Sequence, residues 1–484
     1  MSLCCHPMAI RPRDPYPWLL LVLFFMTLPF VNPYIRGDGN GYYAYVRSAV
    51  IDGDLSFENE FRRGDPAFRR TVFDDGGRVL PGSSLVDGYV KNQWAVGPSL
   101  LWAPFFLTAH GVVRLLSALG VSVAADGYSA PYRWLCGVGT ASYAFAGLLL
   151  AYVLAKRLVS PVAALVATLA IWFGSSLPVY AYFIPFHVHA LASFSVALLL
   201  WHWFRMAGRP ETRDWALWGA IAGLAIEVYQ LNAVFLLIPL TELAREAREV
   251  TLGKTDSRSV TVKRASAHAL VFAVGAVVAL TPHFLIKWRI HGAPWRTGYA
   301  DAAQFFWASP RLFELALSPE HGLLLWTPVL ALAIAGLVLF QRRQPWRGTL
   351  LVATFLAYYY VVASYQNWHG QSSFGNRFFV SFTPVFVIGL AELLKGARGA
   401  VAGSIVGVVS ALILWNGGLM VQWGTNIIPN RGPVDMRLVT ANQLTRVPAY
   451  FPGLLRRYFS NRDSVVREVE RDDLVEATTY RLKR

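Results

Sequence analysis

Charge is what this sequence is short of. Of its 484 residues only 15% are charged, where soluble domains carry roughly a quarter. That is too little polar surface to solvate a chain that is 55% apolar. Cysteine is scarce too. Cys4 and Cys5 precede the first apolar run and Cys136 lies inside a later one, so neither a disulfide framework nor a zinc site is readable. The chain has no Walker motif, no G-x-G-x-x-G before a helix, no H-E-x-x-H and no G-x-S-x-G. A soluble enzyme, a disordered chain and a secreted disulfide scaffold are excluded as readings of the whole.

What is present is uninterrupted apolar sequence. Runs such as Ala265–Ile286 and Gly322–Phe340 match the roughly 20 residues with which a helix crosses about 30 Å of hydrocarbon. The expected fold is an all-α polytopic membrane protein. A net charge of +15 would suggest nucleic acid in a soluble chain. Here much of the basic charge sits in short loops, where it sets orientation, so no nucleic-acid partner is expected. Arg11 and Arg13 put the N-terminus in the cytoplasm, and no small-x-small cleavage site follows Trp18–Phe30, which reads as an uncleaved first span.

Loop charges then order the chain. A first span over about 17–35 leads out to a polar loop, 36–96, with nine acidic and eight basic residues. Lys156-Arg157 must lie inside. The run 97–118 is therefore expected to lie on or dip into the outer side, and 132–155 to be the true crossing; two full crossings is the alternative. Spans 160–180 and 184–205 follow. The run 214–243 is flanked by Arg213 and Arg245, so both its ends are cytoplasmic and it forms a short hairpin with its tip at Glu227–Asn232. Spans 265–286, 320–340, 348–365, 378–394 and 399–423 complete eleven crossings. The expected organisation is a transmembrane domain, 1–423, with short juxtamembrane helices in its first extracytoplasmic loop, and an extracytoplasmic tail, 424–484. No internal repeat is visible.

Chemistry-capable residues collect in the outer loops. Arg36-Gly37-Asp38-Gly39-Asn40-Gly41-Tyr42-Tyr43 places three glycines around Asp38 directly at a membrane exit. Such glycines permit a tight turn with positive φ, and Asn40 can cap a following helix. Asp38 is then either a turn and capping residue or a carboxylate held to take a proton from a hydroxyl. Asp52 and Asp54 read mainly as solvated loop charges, one of which could be a second acid or a metal ligand. His187 and His189, two apart, do not share a helix face and make no paired metal site. A single His there can bind a phosphate or anchor at the interface. The basic, aromatic loop Lys287–Tyr299, with Arg296 and Tyr299, is either an interfacial belt or a surface for a lipid phosphate and a sugar. So is the loop with Trp368, His369 and Arg377. Arg377, at the start of a span, wants either a bidentate phosphate or an ion pair with a first-loop acid.

Several of these pieces together resemble the GT-C superfamily of membrane glycosyltransferases. The similarity is to bacterial relatives of protein O-mannosyltransferases and of the lipid A aminoarabinose transferase. They are Gly37-Asp38-Gly39 with Gly41-Tyr42-Tyr43; Arg47-Ser48 with Ile51–Leu55; Gly97-Pro98 with Leu101–Phe105; Ser318–Leu323 with Trp326-Thr327-Pro328; and Trp368 with Ser373–Phe378. The resemblance implies a polyprenyl-phosphate sugar donor and a glycan, lipid or protein acceptor. It also implies an active site on the extracytoplasmic face of a bacterial inner membrane. It makes Asp38 the catalytic carboxylate, and Lys91 and Arg377 the foremost phosphate ligands. His187, Arg296, Tyr43, Tyr299, Trp368 and His369 become further binding candidates. No cofactor is certain, and a divalent metal stays open. The relatives often carry Arg at the hairpin tip and where Glu320 stands; this chain has Glu227, Tyr229 and Gln230 at the tip. The competing functions are a transporter or flippase of lipid-linked sugars, which should show repeats and charges along a central path, and a non-catalytic membrane scaffold.

Overall fold

The computed structural model describes residues 14–83, 90–206, 210–251, 258–296 and 302–482. Arg11, Arg13 and Tyr299 lie outside them. Among the described residues the regular structure is helical, with two isolated β-bridges, Phe73 to Val79 and Phe305 to Tyr365.

Helix α1 (Tyr16–Thr27) is wholly uncharged, with a 3₁₀ turn at Leu28–Phe30. The first loop then folds into α2 (Gly39–Arg47) and two short helices, Glu58–Arg62 and Pro66–Val72. Next come α3 (Gly97–Ala118), α4 (Ala130–Lys156), α5 (Pro161–Gly174), α6 (His189–Arg205), α7 (Thr212–Val228), α8 (Leu237–Thr251) and α9 (Arg258–His291). The second half holds α10 (Val329–Arg343), α11 (Pro345–Ser364), α12 (Thr383–Leu394) and α13 (Gly399–Gly424). It closes with α14 (Met436–Leu444), α15 (Arg446–Ser460) and α16 (Arg462–Leu482). Among the described residues, five stretches are long and apolar enough to cross a membrane: α3, α4, Val262–His291 of α9, Arg377–Leu394 leading into α12, and α13.

Close helix contact comes from small residues, as expected where lipid removes the hydrophobic drive between helices. A methyl group on Gly219 of α7 would fall 2.0 Å from the Phe272 carbonyl oxygen of α9. One on Gly336 of α10 would fall 1.9 Å from that of Gly389 in α12. The hairpin α7–α8 turns at Tyr229 and a 3₁₀ segment, Gln230–Leu236. There Asn232 Nδ2 donates to the Ala225 carbonyl at 3.0 Å and satisfies the end of α7.

Both flanks of α3 return to α2. Before α3, the Asn92 and Trp94 carbonyls each lie 3.0 Å from the Tyr45 hydroxyl. After it, the Tyr43 hydroxyl donates to the Gly127 carbonyl at 2.6 Å and Arg47 Nε to the Asp126 carbonyl at 3.1 Å. α3 climbs antiparallel along α4, with Trp102 donating to Thr140 at 2.8 Å and His110 2.6 Å from the Tyr132 hydroxyl. The chain thus comes back to the helix it left.

The two ends of α1 are tied to different parts of the chain. Asp14 pairs with Lys156 at 2.6 Å, joining the start of α1 to the end of α4. At the far end, Arg462 donates to the Val31 carbonyl at 2.7 Å and the Pro29 carbonyl at 2.8 Å. The C-terminal helices therefore sit beside the first loop, at the opposite end of α1 from Asp14.

Candidate active site

Asp38 is set by its own neighbours in sequence. Gly37 has φ of +53° and turns the chain back at the membrane exit. Asp65, the N-cap of the short helix that starts at Pro66, reaches across with its second oxygen. That oxygen accepts from Gly37 N at 2.7 Å and Asn40 Nδ2 at 2.9 Å, while the first accepts from Phe68 N at 3.1 Å. The other two glycines serve close approach rather than positive φ. A Cβ on Gly39 would lie 2.8 Å from Phe186 Cβ, and one on Gly41 would lie 2.0 Å from the Trp94 ring. The helix begins earlier than expected, at Gly39, so Asn40 is inside it and bonds back to the Gly37 carbonyl at 3.0 Å instead of capping.

Asp38 occupies the N-cap position, yet its side chain makes no capping hydrogen bond. Its carboxylate faces Arg377 instead, with Nη1 to Oδ2 at 3.1 Å. Arg377 opens the stretch that leads into α12, and the span's own direction brings its guanidinium to the first loop. Of the two partners expected for Arg377, the first-loop acid is the one in place. Burial pushes the Asp38 carboxyl up, but Arg377, with His187 behind it, outweighs this and holds it below the ordinary carboxylate range. Burial lowers the pKa of His187 to about 4, so it is neutral at physiological pH. Its Nδ1 makes no hydrogen bond among the described residues.

A cavity of about 1250 Å³ opens on this group. Asp38, Lys91, His187 and Arg377 all line it, with Arg36, Asp65, Trp94 and Arg431. Its other walls are apolar: Phe183 and Ile184 before α6, Ile413, Leu414, Met420 and Val421 of α13, and Phe451, Leu454 and Leu455 of α15. The cavity is thus amphiphilic, its lining joining cations and carboxylates to lipid-like surface.

The remaining candidates lie elsewhere. Tyr43 is fully buried, its hydroxyl used by Gly127. Asp52 is bound by Arg47 and by Asn59 at 2.7 Å, and Asp54 by Ser48 at 2.7 Å and Ser56 N at 3.1 Å. Their oxygens are committed to holding the loop. Trp368 is buried and its carbonyl accepts from Asn376 at 2.9 Å. His369 accepts from Gln371 N at 3.1 Å and lies 3.4 Å from Glu320. Arg296 is exposed and outside the cavity. Among the described residues no cluster of three or more His, Cys, Asp or Glu could hold a metal ion.

Sequence reasoning did not find the tail. Arg36 pairs with Glu470 at 3.6 Å, Arg431 pairs with Asp473, and Tyr458 donates to the Phe30 carbonyl at 2.8 Å. The tail helices thereby wall the cavity. Asp65 carries a sequence signal of its own, since Asp65-Pro66 is a recognisable helix start.

A family model described as dolichyl-phosphate-mannose-protein mannosyltransferase matches residues 136–283, under a third of the chain. A comparison with curated protein sequences returns no match. Two solved structures of ArnT from Cupriavidus metallidurans are similar. The apo form has a TM-score of 0.53 at 13% identity, over 96% of this chain and 73% of that one. The form bound to undecaprenyl phosphate has 0.49 at 16% identity, over 96% and 74%. The likeness to the apo form is one of fold. The all-helical fold and the matched segment 136–283 are thus similar to those of membrane glycosyltransferases of the GT-C type.

Proposed function

We propose that this enzyme transfers a sugar from a polyprenyl-phosphate donor to an acceptor hydroxyl, at the extracytoplasmic face of a bacterial inner membrane. The observation that carries this is a cavity whose lining holds both the Asp38–Arg377 pair and apolar residues of α13 and α15. A polyprenyl-phosphate sugar has the same two halves, and dolichyl-phosphate-mannose, named in the matching family, is one such donor.

The chemistry divides among the residues present. The acceptor hydroxyl attacks the anomeric carbon and passes its proton to Asp38. The bond from that carbon to the phosphate oxygen breaks, and the leaving polyprenyl phosphate takes the electron pair. Arg377 and Lys91 stabilise its charge, and the guanidinium fork suits two phosphate oxygens. Neutral His187 lies beside Asp38 without adding charge. Since Arg377 rests on Asp38, donor phosphate must draw it away, which frees the carboxylate once the donor is bound.

Deleting the gene is expected to remove one sugar from the surface glycans and raise the matching polyprenyl-phosphate sugar, both read by mass spectrometry. Unchanged levels of both would overturn the reading. The face is tested separately. A C-terminal alkaline phosphatase fusion is expected to be active, because the tail sits with Asp38 at the end of α1 away from Asp14. A silent phosphatase with an active cytoplasmic reporter would place the site inside.

A further inference from the structure

Behind the cavity, the last turns of α9 bury an ammonium group. Lys287 is fully buried. Its Nζ donates to the Tyr45 hydroxyl at 3.0 Å, the Asn92 carbonyl at 3.0 Å and the Trp94 carbonyl at 2.9 Å. An ammonium has three donors, and all three are used. Asn92, also fully buried, donates from Nδ2 to the Gly41 carbonyl at 3.0 Å and accepts from Trp94 N at 3.2 Å. The segment from Asn92 to Trp94 is therefore clamped between α2 and α9.

What the clamp holds is part of the site. Lys91, Gln93 and Trp94 line the cavity, and the Trp94 ring rests on Gly41 beside Asp38. A buried charge persists only when compensated. Three oxygen acceptors compensate it here, and the buried Glu227 side chain at the end of α7 lies within electrostatic reach of Lys287. His283, one turn before Lys287 on α9, puts Nδ1 3.6 Å from the Glu227 carboxylate. Glu227 stands at the hairpin tip where related enzymes often carry Arg. Here the positive charge is supplied from α9 and directed at the first loop.

We propose that Lys287 is a positioning residue, which holds the Lys91–Trp94 segment so that the Lys91 ammonium meets the donor phosphate. This rests on the assignment of Lys91 to that phosphate. The test uses the full-length enzyme in lipid nanodiscs and farnesyl phosphate as the binding probe. Lys91→Ala is expected to bind it about tenfold more weakly, as for a lost charge-assisted contact. Lys287→Met is expected to weaken binding about as much, and the double variant no further than about twofold beyond Lys91→Ala. That non-additivity is what a purely structural lysine would not produce. Unchanged binding by Lys287→Met, or fully additive losses, would overturn the proposal. Unchanged binding by Lys91→Ala would overturn the phosphate assignment beneath it. Where Lys287→Met fails to accumulate, Tyr45→Phe carries the test, since it removes one partner of the ammonium without stranding a charge. It is expected to weaken binding about threefold through Lys91 alone, so the loss should vanish in a Lys91→Ala background; a loss that persists there counts against the proposal.

Discussion

Asp38→Asn is expected to insert and fold normally and to lose sugar transfer by about a thousandfold, within the range a general base contributes. The measurement is glycan mass spectrometry in the deletion strain carrying each variant at matched expression. Asparagine keeps the size of the side chain and leaves the turn intact, because the turn is held by Asp65 and Gly37 rather than by the Asp38 carboxylate. It cannot accept the proton. It also releases Arg377, which is 3.1 Å from the carboxylate in the resting enzyme. Farnesyl phosphate should therefore bind Asp38→Asn more tightly than wild type, an outcome opposite to that of a general loss of structure. Asp52→Asn and Asp54→Asn are expected to lose less than about tenfold, since their oxygens serve Arg47, Asn59, Ser48 and Ser56 outside the cavity. Wild-type transfer by Asp38→Asn would remove the catalytic assignment and bring the transporter reading forward.

Much of the framework was legible because apolar length is a local property. The expected spans 132–155, 265–286 and 399–423 overlie α4, α9 and α13 within a few residues, except where α9 continues beyond both ends of its apolar run. The hairpin tip is also where charge balance put it, at Tyr229. Asp38 stood out because glycine marks tight backbone, although two of the three glycines turned out to make room for Phe186 and Trp94 rather than to supply positive φ. What sequence could not separate was one loop acid from another. Asp38 and Asp52 differ in which cation reaches them, and Asp54 is held by Ser48 and Ser56 instead. That is decided by Arg377 arriving from a distant span and by Arg47 turning inward from α2. The tail's place at the cavity is hidden in the sequence for the same reason. Its helix α15 turns Val447, Phe451, Leu454 and Leu455 to the cavity, and Arg462 finds its acceptors on Pro29 and Val31 at the other end of the chain.

Arg377→Ala is expected to weaken farnesyl phosphate binding by about a hundredfold, the scale of truncating one member of a charged contact at a binding surface. Arg377→Lys should recover only part of this, because a point charge cannot reproduce the two-pronged guanidinium. Stability should change little, by about 1 kcal/mol or less, since the Asp38 side chain in the pair keeps 29% of its exposure. The sign of the pH dependence follows from the same pair. In the free wild-type enzyme Asp38 is held below the ordinary carboxylate range. The pair's stabilisation is thus present above the unfolded carboxylate pKa and is lost as pH falls through the lower folded value. The small stability gap between wild type and Arg377→Ala should be constant above about pH 5 and close only on strong acidification. Activity shows the converse. The acid limb of kcat/KM reports the free enzyme, so it lies at low pH in wild type. In Arg377→Ala the burial that raises the Asp38 carboxyl is no longer opposed by the guanidinium, and the limb moves to higher pH. Asp38→Asn has no such limb. Equal loss of folded protein in Arg377→Ala and Arg377→Lys, with no movement of the acid limb, would reduce Arg377 to a structural partner of Asp38 and leave Lys91 as the phosphate ligand.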